Sequence, residues 1–134
     1  MASTPAYWSN RRMARAVLSA ATTDQTGATT ANIVDILTGV AAGTEITEIT
    51  VHADGDPADS MILIFLHNGT DYRLYETFDI GNPAASSTTV AGYREQRYYT
   101  GLFLPSASWK IAAAITVQPT SGSVNVFVAG GDIT

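Results

Sequence analysis

Three aspartates crowd one short stretch, Asp54, Asp56 and Asp59, and clustered carboxylates supply the oxygen ligands that calcium takes. Asp54 and Asp56 are the candidate ligands. The stretch lacks the glycine spacing and the closing glutamate of an EF-hand loop. Gly55 permits a positive φ and Pro57 presets its own, so the same residues make a turn without any metal, and no metal is expected. Glycoside hydrolysis needs two opposed carboxylates. Glu45, Glu48, Glu76 and Glu95 could supply a pair, but nothing in their spacing sets two across a cleft. Glu76 interrupts an apolar alternation, and a buried carboxylate without a partner is costly. Arg73, Arg94 or Arg97 is the expected partner. His52 and His67 show neither of the short histidine spacings that hold zinc, and read as rim residues at strand ends. A nucleophile elbow is absent; Thr120-Ser121-Gly122-Ser123 reads as a polar turn. Ala41-Ala42-Gly43-Thr44 lacks the lysine and glycine spacing of a phosphate loop. The chain has no cysteine, which excludes disulfides and thiolate-bound metals. The expectation is a protein that is not an enzyme and carries no cofactor.

The remaining chemistry is that of contact. Tyr93, Arg94, Arg97, Tyr98 and Tyr99 mix cations with aromatic rings, as proteins that bind single-stranded nucleic acid do. The same mixture marks protein interfaces. The net charge is −5 and the pI about 4.7, so protein contact is the better reading, with no nucleic acid and no membrane. A second group lies at the start: Tyr7, Trp8, Arg11, Arg12 and Arg15. Aromatic and arginine side chains dominate interface hot spots, so this group resembles a docking peptide. Folding back of the two aromatics onto their own domain is the competing reading. Arg11, Arg12 and Arg15 are the sole charges in the first 22 residues; the rest is acidic.

Residues 1–14 are expected to form an extended arm, because Pro5, Ser9 and Asn10 discourage regular structure. Residues 15–134 are expected to form one β-sandwich or jelly roll of about eight antiparallel strands. A chain of 134 residues supports one good core. Stretch 15–22 is a weak strand whose alanines would also allow a short helix. Stretch 32–37 follows, then 44–53, with Thr47, Ile49, Val51 and Ala53 alternating on one face. Stretch 60–67 is apolar on both faces, as a central strand covered on two sides would be. Asn68-Gly69 is the strongest short hairpin signal in the chain. Tyr72, Leu74, Phe78 and Ile80 follow at even spacing. Stretch 88–100 reads as a long edge strand closed by Leu102-Phe103-Leu104-Pro105, and Trp109–Val117 and Val124–Val128 alternate again. Turn signals every eight to twelve residues point to a sandwich or jelly roll. The longest apolar run, 61–66, is far too short to span a membrane, and the chain reads as soluble and made in the cytosol.

The order of these elements resembles a group of small tailed-bacteriophage virion structural proteins. The matching segments are Ile36-Leu37-Thr38-Gly39, Ala42-Gly43-Thr44-Glu45-Ile46, Ile49-Thr50-Val51, Ile64-Phe65-Leu66 and Asn68-Gly69. They continue with Tyr72-Arg73-Leu74, Leu102-Phe103-Leu104-Pro105 and Val126-Phe127-Val128-Ala129-Gly130-Gly131-Asp132. The resemblance covers about residue 30 to the end and implies capsid decoration or a tail-associated role. It brings no catalytic residues. The expected partners are the major capsid protein and copies of the chain itself, as a homotrimer about a local threefold on the capsid surface. A tail, baseplate or fibre module binding host carbohydrate is the alternative; its aromatic platform would come from Tyr93, Tyr98, Tyr99 or Trp109. A small hydrolase or lectin unrelated to phage is a third reading, supported only by the carboxylates above.

Overall fold

The computed structural model describes residues 8–133. It is all-β, with strands β1 (Trp8–Leu18), β2 (Val34–Thr38), β3 (Thr44–Ala53), β4 (Ser60–His67), β5 (Tyr72–Gly81), β6 (Arg94–Leu104), β7 (Lys110–Ile115) and β8 (Val124–Ile133). Their pairing is nested: β1 with β8, β2 with β7, β3 with β6, β4 with β5, every pair antiparallel. The chain is one long ribbon, doubled back between β4 and β5 and wound so that β8 also meets β3 and β7 meets β4. Two four-stranded sheets result, β1-β8-β3-β6 and β2-β7-β4-β5, which is a jelly roll.

The ribbon folds back at the Asn-Gly turn. Gly69 has φ of 97°, a value that a side chain would strain. The Asn68 side-chain oxygen accepts the N–H groups of Thr70 at 2.9 Å and Asp71 at 3.1 Å. Those bonds replace the ladder partners that the turn gives up.

Inward-facing residues of both sheets form the main core, with Ile46, Ile49, Val51, Val126 and Val128 against Ile62, Ile64, Phe78, Ile111 and Ile115. Two bulges decide which residues join it. The register shifts between Ile46 and Glu48, so Ile46 and Ile49 are both buried and Thr47 leaves the core. In β5 the register shifts beside Tyr75: Ile64 pairs with Glu76, Phe65 with Leu74. Phe78 and Ile80 stay buried while Leu74 is exposed, which splits the even spacing expected of that strand.

The β2-β7-β4-β5 sheet is covered on its outer face as well. Leu63, Phe65, Ala112 and Ala114 form a second buried cluster under Ile33 and Tyr72. The cover is held by residues 19–33, whose Thr22 N–H donates to the Ile115 carbonyl at 2.8 Å. This accounts for the apolar character of both faces of β4.

The division at residue 14 differs from the structure. Trp8 to Ala14 lie within β1, paired with β8 from Ile133 to Val128, and the strand continues unbroken through Leu18 without a helix. Ser9 and Asn10 do not stop it: the pairing steps from Trp8 to Asn10 with Ser9 as an extra residue, and an edge strand absorbs such a bulge at little cost. Tyr7 and the rest of 1–7 lie outside the described residues.

Phe65 is fully buried in the second cluster. Phe65→Ala is expected to lower unfolding free energy by about 3–5 kcal/mol, read as a shift in urea midpoint. A shift below about 1 kcal/mol would mean that residues 19–33 do not cover that face in solution.

Candidate interaction surfaces

A sandwich of two open sheets leaves two seams where edge strands face each other. Here each is crossed by an arginine. At the β5–β6 seam Arg97 reaches Glu76 at 3.0 Å and Glu95 at 3.1 Å. It also donates to the Thr77 carbonyl at 2.9 Å, and its guanidinium lies 4.0 Å from the centre of the Phe78 ring. Arg97 is thus the arginine partner that Glu76 requires. Tyr93 donates to Glu95 at 2.6 Å and Tyr99 to Glu76 at 3.3 Å. The Tyr93 hydroxyl holds the Glu95 carboxyl below the usual range. Burial, then the Glu95 and Glu76 carboxylates, push the Tyr93 and Tyr99 phenols up. The two glutamates of the β5–β6 seam therefore share one guanidinium and do not face each other across an open cleft.

At the β1–β2 seam Arg12 holds Asp132 at 2.9 Å and donates to the Thr38 carbonyl at 3.3 Å. Asp132 is buried and also accepts the Thr44 hydroxyl at 2.8 Å. Burial pushes its carboxyl up, but the Thr44 hydroxyl and Arg12 outweigh this and hold it below the usual range. The two glycines before it are required by contact. A side chain on Gly130 would strike the Glu45 backbone, and one on Gly131 would strike the Trp8 ring.

The aspartate turn is occupied from within. Asp54 accepts the Ser123 N–H at 2.6 Å, the Ser123 hydroxyl at 3.0 Å and the Asn125 amide at 3.2 Å. The Ser123 N–H is the main cause of its lowered pKa. Asp56 caps the Ala58 N–H at 3.0 Å. His67 accepts the Gly69 N–H at 3.0 Å and meets the Tyr72 ring edge-to-face with ring centres 4.5 Å apart; His52 stands exposed on β3.

The outer face of the β1-β8-β3-β6 sheet carries no covering segment among the described residues. Cross-strand partners align in four rows: Arg11–Gly131–Glu45–Phe103, Met13–Ala129–Glu48–Tyr98, Arg15–Phe127–Thr50–Gln96 and Val17–Asn125–His52–Arg94. Of the residues singled out by type, Trp8, Arg11, Arg15, Arg94 and Tyr98 stand on this face, and Tyr98 is 74% exposed. Arg12, Arg97, Tyr93 and Tyr99 belong to the seams. Met13, Val17 and Phe103 join the face, and residue type gave no reason to choose them. For Met13 and Val17 the signal was the alternation of Arg11, Met13, Arg15 and Val17 against Ala14, Ala16 and Leu18. Trp8, Arg11, Met13, Thr47 and Glu48 wall a groove of about 360 Å³ floored by Ala129 and Gly130. The aromatics named for a sugar platform do not come together. Trp109 instead borders a separate hollow of about 180 Å³ with Tyr75, Asn68, Asp71 and Arg73.

No family model and no curated protein matches this sequence. Solved structures do. A chain of the acidic-stable capsid structure of Helicobacter pylori bacteriophage KHP30 is 12% identical with a TM-score of 0.56, covering 97% of this chain and 95% of that one. A chain of the cyanophage Pam1 capsid asymmetric unit is 16% identical with a TM-score of 0.45, over 98% and 91%. The VP2 subviral particle of infectious bursal disease virus gives 9% identity and a TM-score of 0.34, this chain spanning 34% of that one. The KHP30 likeness shows a shared fold over nearly the whole of both chains.

Two substitutions test the seams. Asp132→Asn is expected to cost about 1–3 kcal/mol near neutral pH, by stranding Arg12 and Thr44. A carboxyl with a lowered pKa stabilises the fold above its unfolded value, about 3.9, and loses that contribution as pH falls through the folded value. The gap to wild type should therefore close below about pH 4; urea midpoints across the acid range measure it. Arg97→Lys keeps the charge but loses the fork that reaches both glutamates, and is expected to cost about 1–3 kcal/mol. An unchanged midpoint would show that the seam does not depend on Arg97.

Proposed function

We propose that this chain is a virion structural protein that decorates the outer surface of a bacteriophage capsid and cements the shell. The observation that carries the reading is the jelly roll shared with a chain of the KHP30 capsid, matched end to end rather than as part of a larger protein. The side-chain chemistry agrees with it. Of the four glutamates considered for catalysis, Glu76 and Glu95 are held by Arg97, while Glu45 and Glu48 stand on the outer face of the β1-β8-β3-β6 sheet.

The mechanism is binding without bond chemistry. Many copies, set about local threefolds as homotrimers, each add apolar burial and hydrogen bonds to the major capsid protein. Together they resist outward pressure on the shell. Arg11 and Arg15 supply charge complementarity toward acidic side chains of a partner surface, with Trp8, Arg94 and Tyr98 as further contacts and Tyr7 among the preceding residues. The protein would be made in the host cytoplasm and act on the virion exterior.

The Trp109 hollow supports the second reading, a tail or fibre module that binds host carbohydrate, because an aromatic wall beside Asn68, Asp71 and Arg73 suits a sugar ring. Electron microscopy of the parent virus with the protein antibody-labelled separates the two. Label over the whole head, spaced as the local threefolds are, is the expected result. Label confined to the tail overturns the cement reading and directs attention to the Trp109 hollow.

A further inference from the structure

The two sheets differ in what covers them. Residues 19–33 cover the β2-β7-β4-β5 sheet, whereas among the described residues nothing crosses the outer face of β1-β8-β3-β6. Five of the nine large apolar side chains exposed among the described residues stand on that one face: Trp8, Met13, Val17, Tyr98 and Phe103. Three line β1 and two line β6, the two edges of one sheet face, and so many on one face call for an explanation that singly scattered hydrophobics do not.

The row Met13–Ala129–Glu48–Tyr98 holds the most exposed members, Met13 at 70% and Tyr98 at 74%. At its β1 end lies the groove floored by Ala129 and Gly130, which have no bulk to fill it. At its β6 end the Tyr98 ring projects with nothing to enter. Three strand spacings, about 14 Å, separate Met13 from Tyr98, and Tyr98, although beside the groove's Glu48 wall, does not line the groove of its own molecule. The charges follow the same division: Arg11 and Arg15 stand on β1, Glu45 and Glu48 on β3. Among the described residues none of these four has an ion-pair partner.

We propose that copies of this chain meet through this face, with Tyr98 of one copy seated in the groove between β1 and β3 of a second. There the ring packs on Met13, Ala129 and Gly130, and Arg11 and Arg15 of one copy approach Glu45 and Glu48 of the other. Four strands over eight residues give a face of about 19 by 27 Å. Shared between two neighbours, the face buries on the order of 500 Å² in each contact, the range of weak contacts that hold when several copies assemble together. The groove over β8 and the Tyr98 ring on β6 let each copy give to one neighbour and receive from another, a head-to-tail contact that forms a closed ring when the rotation between copies is a threefold. The contact rests on the reading that copies associate with one another, and not on where in the virion they sit.

The absence of cysteine makes the test clean. Met13→Cys and Tyr98→Cys are introduced together, and the oxidised protein is run on a non-reducing gel. A disulfide needs Cα atoms within about 7 Å, so the pair cannot close within one chain. The expected result is covalent oligomers that neither single variant forms. A ladder that stops at three copies agrees with the proposed threefold. One that stops at two keeps the contact and overturns the trimer. Monomer alone overturns the contact, whatever the labelled virus shows. Tyr98→Glu is the second test: it should give monomer by light scattering with an unchanged far-ultraviolet circular dichroism spectrum. An oligomer that survives Tyr98→Glu overturns the proposal, and if virus binding is lost at the same time the face belongs to the capsid protein instead.

Discussion

Asp132 is the one buried charged side chain among the described residues, and a lone carboxylate taken out of water would cost several kcal/mol. It is tolerated because four elements converge on it. Arg12 on β1 supplies the counter-charge, Thr44 on β3 a hydroxyl, and β8 the carboxylate itself. The same guanidinium continues to the Thr38 carbonyl on β2 in the opposite sheet. Convergence needs β1, β8 and β3 closer than side chains allow, and Gly130 and Gly131 remove those side chains where the backbones and the Trp8 ring approach. The Gly-Gly-Asp ending of β8 is therefore one device: two glycines admit the neighbours, and the aspartate ties them.

The nested pairing explains why such ties stand at the seams. Winding a doubled ribbon into two sheets satisfies the backbone of every inner strand, but β1 faces β2 and β6 faces β5 across a gap that no ladder bridges. Arg97 and Arg12 bridge these gaps with side chains, each engaging a carboxylate and the carbonyl of a strand in the other sheet. A planar fork with five donors reaches both from separate nitrogens in a fixed geometry, whereas an ammonium must reach them from a single atom. Most of these contacts join residues distant in sequence, so they form only after the ribbon has wound. The Asn68-Gly69 turn, local and self-contained, is the natural first event.

The strand pattern was legible because burial imposes a period of two wherever the register is regular. β3 and β4 read to the residue and β7 only in its centre, and the need of Glu76 for an arginine could be stated from its position alone. Bulges were not legible. The extra residues at Thr47 and Tyr75 shift the phase within a strand, and nothing in local composition announces a bulge whose cause is the pairing of a distant strand. The same blindness hid the first half of β1. Ser9 and Asn10 are poor strand formers, and only pairing with β8, more than a hundred residues away, makes them strand. Once β1 was taken for an arm, its outward row of Arg11, Met13, Arg15 and Val17 could not be seen as part of a face.

That face changes what residue type says about function. Arginine and tyrosine next to one another in sequence look alike as hot-spot candidates, yet alternation sends them to opposite destinies. Arg12 and Arg97 turn inward and stabilise the fold; Arg11, Arg15, Arg94 and Tyr98 turn outward and remain available. A structural protein that works by contact has to keep these two sets apart, because a residue that holds a seam cannot leave it to bind a partner without loosening the sandwich. The period of two in each edge strand achieves the separation without any further device. One side chain in each pair is assigned to the molecule, and its neighbour to whatever the molecule meets.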